Sequence, residues 1–327
     1  MHPGVPDRDT GVSWEGTTVT NQVVEVRVLW LVIASVVAVD LIWLLASGMS
    51  VTVSPAKAIA LCSVLLLVIV YTKFRPDRRI SELATACAQL VVFTAAGAVL
   101  SYLTVTANFP LIDRHLAEAD AALKLDWLAF FEWVDARPTI KRVLVTAYDS
   151  SMIQVAVLLL WLSACDRVER MREFVWLFVA TLLVIIPISW IIPAASAWVH
   201  FGVAERADAY HLADFNALRA GQMTRISLAQ VNGLITFPSF HAALAVMLIY
   251  ASWGVRLLFP AFLVLNVLML AATPTVGGHY FTDIIAGVSV VVCLAILHGG
   301  SWRALFARWT TAPSQAAGYL QTDEGRY

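Results

Sequence analysis

Two histidines carry the chemistry that this sequence offers. His241 stands in Phe237-Pro238-Ser239-Phe240-His241, and His279 in Gly277-Gly278-His279-Tyr280-Phe281-Thr282-Asp283. His279 and Asp283 are four residues apart, so a helix puts them on one face. A carboxylate there accepts from one ring nitrogen and fixes the tautomer. The other nitrogen is then free as a nucleophile or base. Gly277 and Gly278 let backbone approach a ligand closely. Ser239, ahead of an apolar run, reads as a helix N-cap. The free amides and positive dipole end of such a helix favour an anion. His241, in that first turn, would sit beside a bound phosphate and could protonate a departing oxygen. The competing chemistry is a metal site. It needs a third ligand, which His200 or His211 could supply.

The elements that hold these residues are apolar. The chain has 327 residues, 60% hydrophobic and 14% charged, with mean hydropathy +0.76 and net charge −1. An ordinary soluble domain carries roughly 25% charge, and a soluble surface could not cover so much apolar side chain. These figures exclude most soluble enzymes, disordered tails and disulfide scaffolds, and show no basic field for nucleic acid. They predict an all-α, polytopic membrane helical bundle. About eight segments approach the ~20 apolar residues of a span. They run near 28–48, 56–73, 83–106, 140–164, 174–196, 240–255, 257–273 and 282–299. Between the third and fourth, Leu116, Leu123, Trp127, Phe131 and Val134 recur at near-helical spacing, with Asp113, Glu118, Asp120 and Asp126 among them. That predicts an interfacial helical stretch, with Trp127 and Trp133 in the headgroup belt. The domain expectation is residues 1–106 as about three N-terminal spans, 107–299 as the chemical domain and 300–327 as a cytoplasmic tail.

Lysine and arginine near the spans predict orientation. Lys73, Arg75, Arg78 and Arg79 fill one turn, and Arg167, Arg170 and Arg172 another; Arg256, Arg303 and Arg308 join them. The alternation places these residues and both termini in the cytoplasm, and both histidine motifs on the opposite side. No cleavable leader is visible before the first apolar run, which is expected to remain as an anchor. Cys62, Cys87, Cys165 and Cys293 form no CxxC pair and read as small buried hydrophobes.

The motifs FPSFHAA and GGHYFTDIIAG resemble the second and third signatures of the type 2 phosphatidic acid phosphatase superfamily. The branch they resemble most is that of inositol phosphorylceramide synthases, the inositolphosphotransferases. The likeness runs over about 107–299, through Asp126-Trp127, Tyr148, Gln154 and the Leu218-Arg219-Ala220-Gly221 turn. The sequence departs from the wider superfamily in three places. Phe240 replaces a glycine, Ala272 and Thr273 replace a Ser-Arg pair, and Lys73-Phe74-Arg75-Pro76 does not match the first motif.

The resemblance implies a membrane lipid phosphatase or phospho-headgroup transferase working through phosphohistidine. His279 would be the nucleophile and Asp283 its orienting group. His241 would be the acid, and Ser239 would help bind phosphate. No metal or other cofactor is implied. The partners would be the membrane, a lipid phosphoester and water or an alcohol acceptor, with no nucleic acid.

Arg219 is the candidate to supply the missing cation to phosphate, since its fork can hold two oxygens; Arg225 and Arg206 are runners-up. Asp149, inside a span, either binds headgroup hydroxyls or bonds between helices. Asp40, also inside a span, has no assigned role. The alternative from another class is a non-catalytic lipid-binding or transport protein on the same scaffold.

Overall fold

The computed structural model describes residues 14–207, 209 and 211–298. The tail expected at 300–327, with Arg303 and Arg308, lies outside them. The described chain is all-α apart from two three-residue strands. In order the elements are α1 (Trp14–Ser47), β1 (Ser50–Thr52), α2 (Pro55–Ile69), α3 (Arg78–Thr106), α4 (Asp113–Ala122), α5 (Trp127–Asp135), α6 (Pro138–Asp149) and α7 (Ser151–Ala164). There follow α8 (Val168–Ile191), α9 (Ala197–His200), α10 (His211–Arg219), β2 (Arg225–Ser227), α11 (Phe240–Ser252), α12 (Leu258–Val276) and α13 (Phe281–His298).

Six helices among the described residues are long and apolar enough to cross a membrane: α1 over Val26–Ser47, α2 with its π-helical extension to Phe74, α3, α8, α12 and α13. This makes the chain an integral membrane protein. The expected fourth span is not one straight helix. It is α6 and α7, bent by 47° at Ser150. There the Ser150 hydroxyl donates to the Ala147 carbonyl at 2.7 Å and accepts from Gln154 Nε2 at 2.9 Å. The expected sixth span is α11, 13 residues long. At 1.5 Å per residue it covers only about 20 Å of a hydrocarbon layer of about 30 Å.

The chain divides into two compact units. The first comprises residues up to Leu103 with Met223–Val231. In it α1 buries Leu29, Ile33, Val36 and Asp40 along one stripe, and Asp40 Oδ1 has no partner among the described residues. All of α2 is unburied, as lipid permits for a helix apolar on every side. β1 and β2 pair in parallel, Val51 opposite Ile226.

The second unit comprises Thr104–Gln222 and the residues from Asn232 onward. α11 is its centre and packs on α7, α8, α12 and α13. Ala242, Ala243 and Ala245 are fully buried there; small side chains let membrane helices approach closely. Polar pairs tie the unit inside the apolar core. Asn266 donates to Gln154 at 2.7 Å, and Tyr250 to Glu173 at 2.6 Å.

Two expectations about exposure fail, in opposite directions. Cys62, Cys165 and Cys293 are exposed and Cys87 is half-buried. In lipid an apolar run does not imply burial, because the outward face of a helix is apolar too. Conversely, Trp127 is 1% exposed and not part of an interfacial belt. It stacks between Phe131 and Phe201, at centroid distances of 5.3 and 5.0 Å. Trp133 is exposed.

Candidate functional site

The two histidine motifs meet at the start of α11 and the start of α13. Ser239 caps α11, its Oγ accepting from the Ala242 amide at 3.4 Å. Its own amide donates to the Asp283 carbonyl at 3.0 Å. Its carbonyl lies so close to Gly287 that a Cβ there would stand 2.1 Å from the oxygen. The last glycine of GGHYFTDIIAG therefore lets the two helix starts touch.

His279 lies just ahead of α13. Its Nδ1 is 3.3 Å from Asp283 Oδ2. The same oxygen accepts the Tyr280 amide at 2.9 Å, so Asp283 also closes the helix start as an N3 acid does in a capping box. His279 is 4% exposed and Asp283 fully buried. Burial depresses the His279 imidazole from 6.5 to about 4, against a hydrogen bond with the Thr236 backbone that acts the other way. The ring is therefore neutral at physiological pH. In the tautomer that donates Nδ1–H to Asp283, Nε2 carries the lone pair.

His241 is held by Tyr148. The phenol oxygen is 2.9 Å from His241 Nδ1, and the rings stack at 4.2 Å. Gly277 joins the halves of the site. A Cβ on it would lie 2.7 Å from the Tyr148 hydroxyl and 2.8 Å from His279 Cδ2. His241 and His279 also feel each other electrostatically. The amides of Phe240 and His241, at the α11 N-terminus, have no acceptor among the described residues. The site thus offers a neutral imidazole oriented by a carboxylate, a second imidazole on a tyrosine, and unpaired amides suited to an anion.

Three residues that the sequence did not tie to the site grip the His279 loop. Asp120, 1% exposed, accepts the amides of Phe281 at 2.9 Å and Thr282 at 2.8 Å, and the Thr282 hydroxyl at 2.6 Å. Asp113 accepts the Tyr280 hydroxyl at 3.0 Å and the amides of Ala195 and Ser196 at 2.8 and 3.0 Å. Trp127 Nε1 donates to the His279 carbonyl at 2.8 Å. The signal was present: Asp113, Leu116 and Asp120 follow one another at helical spacing, which puts both acids on the buried stripe of α4.

Other expected residues lie elsewhere. Asp149 is exposed at the α6–α7 bend. One residue is 100° of helix, and Tyr148 takes the inward position. Arg219 ends α10, donates to the Phe109 carbonyl at 3.0 Å and lies over the Phe215 ring. It lines a small cavity with Thr104, Ser189 and Leu234 that neither histidine reaches. Arg225 is an exposed residue of β2 in the other unit, and Arg206 pairs with Asp135 at 2.7 Å. His211 meets the Trp198 ring at a tilt, centroids 5.6 Å apart, and is depressed to about 4 by burial. His200 meets Phe201 and Tyr280 edge-on. Among the described residues no three His, Cys, Asp or Glu side chains group as metal ligands.

Gly278 has φ +67°, and a Cβ there would stand 2.4 Å from Ser196 Oγ and 2.7 Å from the Trp198 ring. Its carbonyl receives the Ser196 hydroxyl and the Ala197 amide, both at 2.9 Å. Gly278→Ala is expected to cost about 1–3 kcal/mol through backbone strain and overpacking. Thermal unfolding in detergent measures this; an unchanged midpoint with unchanged activity would contradict it.

No curated protein and no solved structure matches the chain. The family model described as the PAP2 superfamily matches residues 114–297, which is more than half of the chain and includes both histidines, Asp283, Tyr148 and Asp120. On that match the chain belongs to the PAP2 superfamily.

Proposed function

We propose that this protein is a lipid phosphatase or phospho-headgroup transferase that works through a phosphohistidine on His279. Superfamily membership supports phosphatase-type phosphoester chemistry in general. The observation that carries the finer reading is the junction at Gly277, where the Asp283-oriented His279 and the Tyr148-held His241 converge. His279 Nε2 attacks the phosphorus of a lipid phosphoester bound at the α11 N-terminus, and the bond to the leaving oxygen breaks. His241, protonated beside the bound anion, gives that oxygen its proton. In the second step His241 takes a proton from water or an alcohol, whose oxygen displaces His279 and restores both rings. Asp283 holds the imidazole throughout and stabilises the charge that it acquires. Ser239 holds the helix start on which the phosphate rests.

The motifs favour the inositol phosphorylceramide synthase-like branch, as Phe240 stands where the wider superfamily has glycine. The basic turns at 73–79 and 166–172 orient the site to the non-cytoplasmic face of the plasma or inner membrane.

Radiolabelled lipid phosphoester, given to the reconstituted protein with and without an alcohol acceptor, separates the two reactions. A transferase moves label to the alcohol at the expense of water. Label released only as free phosphate or free phospho-headgroup overturns the transferase version. No release and no labelled enzyme overturns both.

A further inference from the structure

A charged rim and an apolar slot lie along α6, about two helical turns from Tyr148. Asp135, the last residue of α5, receives Lys141 Nζ on one oxygen at 2.8 Å and Arg206 Nη2 on the other at 2.7 Å. Those two cations hold its carboxyl below the usual range, so it stays charged. Two cations on one carboxylate leave one positive charge unneutralised. Both cations are half in solvent, with side-chain exposures of 42% and 50%. Arg206 also lies over the Phe131 ring at 5.3 Å.

Beneath this rim is a cavity of about 70 Å³ walled by Phe131, Val134, Val145, Trp198, Thr275 and Val276. Two walls lead to the histidines. Lys141, Val145 and Tyr148 are spaced four and three apart, so they form one stripe of α6. Val276 adjoins Gly277, the point where Tyr148 and His279 converge. From Lys141 to Tyr148 is seven residues, or about 10 Å along the axis, and the Lys141 side chain tilts further toward the helix N-terminus. That is too far to grip the phosphoryl group on His279.

We propose that the Lys141–Asp135–Arg206 rim and its slot are a subsite for a second anionic group on the substrate headgroup or acceptor, about 10 Å from the reacting phosphorus. The substrate class is therefore a lipid whose headgroup, or whose acceptor, carries a negative charge beyond the phosphoester. The proposal rests on the phosphohistidine reading for the position of the first phosphate.

The three rim residues make opposite predictions. Exposed ion pairs contribute little to stability, so the variants fold. Lys141→Gln and Arg206→Gln remove attraction for the anion, whereas Asp135→Asn removes its competitor. The probes are hexyl phosphate and 1,6-hexanediol bisphosphate, whose phosphates can span such a gap, titrated by calorimetry into the full-length protein in nanodiscs. The bisphosphate is expected to bind about tenfold more tightly through its second contact. Lys141→Gln and Arg206→Gln are expected to erase that gain, and Asp135→Asn to keep or enlarge it. Equal affinity for the two probes, with hexyl phosphate bound, overturns the subsite alone. Loss of the gain in all three variants marks the triad as a structural clamp and also overturns it. Failure of hexyl phosphate to bind overturns the subsite together with the reading it rests on.

Discussion

His279→Gln is expected to lower turnover by at least about 10⁴-fold, the scale seen when a covalent nucleophile is removed. Glutamine keeps the polar end and roughly the bulk of imidazole, so the buried site can persist without nucleophilic Nε2. Asp283→Asn keeps the volume but loses the charge that selects the tautomer, and is expected to cost about 10²-fold to 10⁴-fold. Acid-labile, base-stable labelling of the protein by radioactive substrate should vanish in His279→Gln. Purified His279→Gln with full activity would sink the mechanism.

A pH arm sharpens the test. The folded imidazole protonates near 4 and the free one near 6.5. Between these values the unfolded chain binds the proton and the folded chain does not, so stability rises with pH across that window. His279→Gln should reduce the slope over this window, while His211, depressed to about 4 as well, keeps its own share of it. The nucleophile itself stays competent down to about pH 4, so an acid limb of kcat/KM near 6.5 must belong to another group.

What the sequence shows and hides follows from helix geometry. The pairing of His279 with Asp283 was legible, because a four-residue spacing needs no knowledge of partners. Even so, the contact forms across a helix start, with Tyr280 between coil and α13, and not inside a helix. The apolar runs located the helices, but not the break at Ser150. A serine that bonds to Ala147 and Gln154 leaves the run apolar and continuous on paper. One residue of helical phase is why Tyr148 and not Asp149 reaches His241. Arg219 was placed by its turn alone, and no local pattern shows which cavity an arginine at a helix end enters. The rim cations Lys141 and Arg206 come from segments 65 positions apart and meet only through Asp135.

The inward-facing acids of α4 explain how an amphipathic helix outside the spans controls a loop between them. Helix α13 begins with Tyr280 at the N-cap, whose side chain cannot reach its own first amides. Those amides, of Phe281 and Thr282, are satisfied instead by Asp120, a carboxylate from another helix. Negative charge at a helix N-terminus is favourable, and a carboxylate accepting three donors outweighs neutral bonds. Asp120 therefore acts as a remote cap, and what it caps is the turn that carries His279 and Asp283.

Asp120→Ala leaves two amides and the Thr282 hydroxyl without an acceptor in a buried place. At about 1–3 kcal/mol for each orphaned donor, the loss is expected to reach about 3–5 kcal/mol, as for a broken buried charge network. Asp120→Asn should be milder. Its oxygen can still receive Thr282, while its amide nitrogen confronts the Phe281 amide, donor against donor. If Asp120 positions the nucleophile, the surviving Asn protein has kcat reduced about 10²-fold, the cost of an ångström-scale misplacement, with KM nearly unchanged. A purely structural role predicts lower yield and melting temperature with kcat intact in the folded fraction. Steady-state kinetics on Asp120→Asn, normalised to folded protein by hexyl phosphate titration, decides between them.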